Sequence, residues 1–115
     1  MDGTVRVFGG WTTTAFDTVY RATSDGFVSA YVSTNMGDRC VIDGYTDSDP
    51  APSTLRSSAA ADETPWGTVS RVVTNSLMMP VLKGDYWKVT AITEYSENGH
   101  NCANQGKVFF MPLGL

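Results

Sequence analysis

The residues able to support catalysis or metal binding are few: one histidine, His100, two cysteines, Cys40 and Cys102, and a spread of carboxylates at Asp38, Asp43, Asp47 and Asp49. A histidine works as a general base only with a positioned partner. His100 is surrounded by Asn98, Asn101 and Asn104, with no Asp, Glu or Cys array at ligand spacing, and is read as a solvated loop side chain. Serines are abundant, but no Gly-x-Ser-x-Gly elbow occurs to anchor a hydrolase triad. The four aspartates lack the alternating acids, glycine and distal glutamate of a calcium loop, and are read as a solvated acidic stretch. The cysteine spacing rules out a Cys-x-x-Cys site, and two thiols with one histidine make a poor zinc set. Cys40, beside Val41 and Ile42, is expected to be a buried free thiol. A Cys40–Cys102 disulfide is the alternative, and would suit an extracellular particle. No glycine-rich loop leads into a helix, so a phosphate cradle has no support. The expectation is a protein that is not an enzyme and carries no metal or cofactor.

Binding has better candidates. Trp66 lies in the turn Pro65-Trp66-Gly67, where a tryptophan is hard to bury fully. An aromatic face stacks on the apolar side of a pyranose while amides and carboxylates bond its hydroxyls. Tyr45, Asp47, Asn98, Asn101 and Gln105 are the candidate partners for Trp66 from neighbouring loops. The competing reading folds Trp66 back onto the core or a subunit boundary, and Trp11 is equally ambiguous.

The elements that would position these residues are strands. The chain has 115 residues, 42% hydrophobic and 17% charged, enough for one core but not two. A net charge of −4 with scattered Lys and Arg disfavours nucleic acid, whose backbone requires a basic patch. Apolar runs are too short for a membrane span, and residues 1–4 show no leader peptide, so membrane insertion is not expected. The stretch 77–90, LMMPVLKGDYWKVT, is the sharpest local signal: two apolar runs flank Lys83-Gly84-Asp85. Glycine tolerates positive φ and Asp bonds its local backbone, so this is a hairpin turn. Further strands are expected at 5–8, 18–23, 27–34, 39–45, 68–79, 86–96 and 107–111. Residues 46–54 and 97–106 are expected to be polar loops, and 55–63 either a helical turn or a loose edge strand. Residues 1–16 are expected to be a lead-in of the kind left at the cut end of a longer polypeptide, and 17–115 the domain. About eight strands between frequent turns predict an all-β, antiparallel β-sandwich of jelly-roll type.

Two strands carry apolar residues on both faces. Val28, Ala30 and Val32 make one face of their strand, with Phe27 and Tyr31 on the other. In the last strand Val108 and Phe110 point one way, Phe109 and Met111 the other. A second apolar face is covered by a loop, left as surface aromatics, or packed on another subunit. Phe27, Tyr31, Phe109 and Met111 are therefore the candidate interface residues.

Three blocks, Ala22–Val28, Pro80–Val89 and Val108–Gly114, resemble in their order the C-terminal β-sandwich (knob or tip) domains of bacteriophage tail fibres and related prophage proteins. Those domains tend to carry an A-P-S-D-G-aromatic-V opening, a P-V-x-K-G-D-x-W-x-V middle and a closing strand ending P-L-G. The likeness spans roughly residues 15–115. Thr23 stands where a proline is common, and the acidic, proline-broken 46–54 loop also departs from the pattern. The resemblance implies a homotrimeric knob on a virion tail that recognises a bacterial surface receptor, often a polysaccharide. The matched blocks describe scaffold, so no binding residue transfers with them. The alternatives are a structural virion jelly roll, such as a head-decoration or baseplate protein, and a small glycan-active enzyme using loop carboxylates.

Overall fold

The computed structural model describes residues 9–34, 37–63 and 72–114. Eight strands are β1 (Thr12–Thr14), β2 (Tyr20–Arg21), β3 (Gly26–Thr34), β4 (Asp38–Asp47), β5 (Leu55–Asp62), β6 (Val73–Val81), β7 (Tyr86–Ser96) and β8 (Gly106–Pro112). A single 3-10 turn, Cys102–Asn104, lies between β7 and β8. The strands form two antiparallel sheets of order β1-β8-β3-β6 and β2-β7-β4-β5. Except at β4–β5, each connection crosses from one sheet to the other. This interleaving is the double Greek key of a jelly roll, as the spacing of turns predicts.

Alternation explains why these segments are strands facing a shared core. Burial switches residue by residue through β3 and β4, with Val28, Ala30 and Val32 inward from one sheet and Cys40 and Ile42 inward from the other. Cross-strand partners continue the inner layer: Ala30 pairs with Leu77 and Val108, and Val28 with Met79 and Phe110. The sheets are joined by an aromatic stack. Trp87 of β7, 2% exposed, lies 5.9 Å from Phe110 of β8 and 4.8 Å from Tyr20 of β2, centroid to centroid. Such rings bury large apolar areas and add about 0.5–1.5 kcal/mol per pair beyond area alone. Gly26 is required beneath this stack, because a Cβ there would lie 2.6 Å from Phe110 Cζ and from the Met111 carbonyl oxygen.

The expected hairpin turn is present, with Gly84 at φ +89°. It is tied to the β2–β3 turn: Gly84 N–H donates to the Ala22 carbonyl at 2.8 Å and Ala22 N–H to the Asp85 carbonyl at 2.8 Å. Asp25 receives Lys83 N–H at Oδ1 (2.7 Å), and its carbonyl receives Leu113 N–H (2.7 Å). The three sequence blocks singled out above therefore meet at one end of the sandwich as a single hydrogen-bonded unit.

Several elements differ from expectation. The 18–23 strand shrinks to Tyr20–Arg21, because only Trp87 and Tyr86 pair with it before Ala22 joins the turn. Of the two states left open for residues 55–63, the structure takes the edge strand, β5: its ladder with β4 runs from Arg39–Asp62 to Tyr45–Leu55, with one register shift. That pairing outweighs the modest helix preference of three alanines. Strand β1 was not expected, and residues 12–14 form it by pairing with Phe110, Phe109 and Val108. Strand β6 begins at Val73, and the expected strand at 5–8 and residues 68–71 lie outside the described residues. Cys40 is a correction: it is no free thiol but is joined to Cys102. Its burial was anticipated, and the bond to Cys102 is the alternative that the sequence left open.

Gly84→Ala is expected to lower the unfolding free energy by about 1–2 kcal/mol, since the left-handed backbone penalises any Cβ. No atom would meet the added methyl. Urea denaturation of the two proteins checks this, and an unchanged midpoint would contradict the turn assignment.

Candidate functional site

The β7–β8 loop is where polar side chains with spare bonding capacity collect. Gly99, His100, Asn101, Asn104 and Gln105 line an open cleft of about 470 Å³. The loop is held from several sides. The Cys40–Cys102 disulfide anchors it to β4. Cys102 N–H donates to Thr93 Oγ1 at 2.9 Å, and Asn101 Oδ1 caps the 3-10 turn by accepting from Ala103 N–H at 3.0 Å. The Gln105 carbonyl accepts from Ser33 N–H at 2.8 Å, tying the loop to β3.

His100 is the second correction. It is not simply solvated: Nδ1 lies 2.9 Å from Oδ2 of Asp38, a carboxylate with no solvent exposure. Ser96 Oγ donates to the other oxygen, Oδ1, at 2.7 Å, and His100 N–H donates to Ser96 Oγ at 2.7 Å. A serine, a histidine and an aspartate thus share one cluster, but in the wrong order for acyl transfer. Catalysis needs the hydroxyl hydrogen-bonded to an imidazole nitrogen; here it is directed at the carboxylate. The cluster orients the ring and satisfies a buried charge, which is costly when unpaired.

Sequence proximity hid this pairing, since Asp38 and His100 are 62 residues apart. One signal was available. Asp38 precedes Cys40 by two positions and His100 precedes Cys102 by two, so a disulfide between the cysteines draws the acid and the imidazole together. A β-bulge helps: register shifts between Arg39 and Cys40, leaving Glu94 as an extra residue on β7. Glu94 Oε1 then reaches Arg39 Nε at 2.6 Å on the outer face, while Ser96 comes opposite Asp38. Asp62 takes the other side of the guanidinium at 2.6 Å, and these two carboxylates raise the Arg39 pKa above its ordinary value.

The sequence-derived ligand set does not converge. Asn101 and Gln105 line the cleft, joined by His100 and Asn104; Asn98 is exposed in the same loop but outside the lining. Tyr45 and Asp47 sit at the opposite end of the sandwich. Asp47 pairs with Tyr86 at the start of β7 and Asp38 with Ser96 at its end, about 30 Å apart at strand rise. Tyr45 is engaged with Lys88, whose Nζ is 5.3 Å from the ring centroid. Asp47 organises its own loop: Oδ1 accepts from Asp49 N–H, and Oδ2 from Ser53 N–H, Thr54 N–H and Thr54 Oγ1, all within 2.8–3.0 Å. These donors, the Ser53 and Asp49 amides foremost, hold its pKa down from 3.8 to about 2. Trp66 lies outside the described residues. Among those described, no three His, Cys, Asp or Glu residues gather as a metal site, and no helix is long and apolar enough to cross a membrane.

No protein-family model and no curated protein matches this sequence.

Two predictions follow from this geometry. Because the Asp47 pKa is depressed on folding, its contribution to stability is complete above the unfolded value near 3.8 and is lost as pH falls through 2. Asp47→Asn should lower Tm at pH 5 and flatten the fall in Tm between pH 4 and 2, measured by circular dichroism melts. Replacing Cys40 and Cys102 together by serine should cost about 2–4 kcal/mol in guanidinium unfolding. Equal stability of the reduced and oxidised wild type would show that the link constrains nothing.

Proposed function

We propose that this chain is a homotrimeric receptor-binding tip domain of a phage tail fibre, attaching a virion to a bacterial surface through a glycan. The observation that carries this reading is the contrast between the two outer faces of the sandwich. On the β1-β8-β3-β6 sheet, register places Phe27, Tyr31, Phe109, Met111, Met78 and Pro80 on the outer face, interleaved with Ser and Thr. Lys107, opposite Tyr31, is the single formal charge at these strand positions among the described residues. Phe27, Tyr31, Phe109 and Met111, which the sequence nominated, are half-buried within one chain: Trp11 packs edge-on against Phe109 at 6.1 Å and Tyr31 lies alongside it at 6.5 Å. Trp11 is still 51% exposed and Met78 56%.

The other outer face carries Arg21, Arg39, Asp43, Asp62, Lys88 and Glu94 around exposed Ile92 and Tyr95, so its density of formal charge, not a lack of apolar groups, sets it apart. Protein interfaces are depleted in charge and enriched in aromatics and methionine. In a chain of net charge −4, placing the carboxylates off one face lets copies approach without repulsion along it. Three copies would present three β7–β8 loops together, and multivalency turns weak contacts into useful avidity.

Light scattering after size exclusion should give three times the 12.4 kDa chain mass. Phe109→Lys, which changes the outer face and leaves Val108 and Phe110 in place, should yield monomers with the same far-UV spectrum. A wild-type monomer at micromolar concentration sinks the reading. Labelled trimer that never adsorbs to any bacterial panel would favour the virion scaffold role instead.

A further inference from the structure

We infer that the Cys40–Cys102 bond is a redox latch on the β7–β8 loop. The loop is seated while the bond is intact and leaves the sandwich when it is reduced, with both sheets still folded. The latch is independent of attachment to a cell. Of residues 97–105 only Cys102 is buried; Ala103 and Gln105 are half-buried and the other six are exposed. No Leu, Ile, Val, Met, Phe, Tyr or Trp occurs between Glu97 and Gln105, so Cys102 is the loop's principal apolar anchor. Its other ties are polar, among them Cys102 N–H to Thr93 Oγ1, His100 N–H to Ser96 Oγ, and Ser33 N–H to the Gln105 carbonyl. Each replaces a bond to water and contributes little net, while fixing the chain costs entropy. The covalent link offsets that cost by tying residues 62 apart in the unfolded chain.

The body of the sandwich does not share this dependence. Cys40 lies inside β4, laddered to β5 at Ala61 and to β7 at Thr93. The core of Val28, Val32, Ile42, Val89 and Val108 fills the space between the sheets without the loop. Opening is therefore a local step, of the kind that exposed segments with few buried apolar contacts undergo. Asp38 favours release once the bond is cut. Its carboxylate has no solvent exposure and borders the loop at His100, 2.9 Å away, so unseating the loop returns it to water.

Both cysteines are fully buried, so exchange proceeds through fluctuations that bring a sulfur to the surface. A dithiol reductant attacks one sulfur as its thiolate, the Cys40–Cys102 bond breaks, and the reductant's second thiol resolves the mixed disulfide. Two electrons and two protons pass to the cysteines, and the reductant leaves as a cyclic disulfide. An oxidised dithiol reverses the exchange. In reducing surroundings the loop and its amide-lined cleft stay unformed, and in oxidising surroundings they close.

Hydrogen exchange of the intact chain, read by mass spectrometry, compares oxidised wild type with wild type reduced by dithiothreitol. Reduction should speed exchange about ten-fold or more at the loop amides of His100, Cys102, Ala103, Asn104 and Gln105, and at Ser33. Peptides spanning 41–45 and 87–91 should keep their slow rates, and oxidised dithiothreitol should restore the loop. Cys40→Ser with Cys102→Ser should match the reduced protein; if that variant does not fold, the reduced wild type decides alone. Iodoacetamide mass gain counts the thiols freed. Two free thiols with unchanged loop rates overturn the latch, as does a bond that dithiothreitol cannot reduce in the folded protein. Loss of protection through both sheets at once also overturns it, because the bond would then support the whole fold.

Discussion

The contact between Trp87 and Phe110 is the constraint on which the remaining architecture depends. One ring belongs to each sheet, they lie nearly parallel at 13°, and Tyr20 extends the stack on the far side of the indole. Stacking sets the spacing at this end of the sandwich, and the spacing imposes the sequence around it. Gly26 must lack a side chain, Val28 and Met79 must fill what the rings leave, and the β6–β7 turn must be tight enough to start β7 at Tyr86. The hydrogen bonds from Lys83, Gly84 and Leu113 to the β2–β3 turn then seal the end from outside. The conspicuous sequence blocks are conspicuous for this reason, and they describe a seal rather than a binding surface.

At the opposite end the same task falls to a covalent bond and a buried charge. Among the described residues no aromatic stack crosses the sheets there; the disulfide joins β4 to the loop that leads into β8. Asp38 is fully buried beside it and satisfied by Ser96 and His100. The two ends consequently have different chemistry. One is closed by apolar contact and turn geometry, the other by a polar network that orients a histidine and a set of amides toward an opening. A loop so restrained can hold side chains in place for recognition, which an unrestrained polar loop of this length does poorly.

The outer faces differ for a related reason. Inner-face residues are prescribed by the core, so only outward positions are free to record what the surface meets. Around Arg39 they record water, with two carboxylates sharing one guanidinium. Around Phe109 they are apolar and aromatic, and Trp11 and Tyr31 pack beside it. Function is thus read from outward-facing and loop positions, where folding alone does not dictate the residue type.

Local chemistry was sufficient for the class of fold. Alternation through 28–32, the glycine at 84 and the runs on either side of it state strands and turns directly, because side-chain period and φ preference act over a few residues. The outward placement of Phe109 and Met111 was legible too, since a strand must alternate. Residues 55–62 were not legible, because small side chains prefer neither state strongly and only the β4 ladder settles them. Nor were the choice of the Cys40–Cys102 bond over a free thiol, the Asp38–His100 pair or the division of Asp47 from Asn101 between opposite ends. Those depend on which strands become neighbours across tens of residues. Side-chain periodicity is written into each short stretch of chain, whereas the meeting of distant stretches is decided by the packing of both sheets at once.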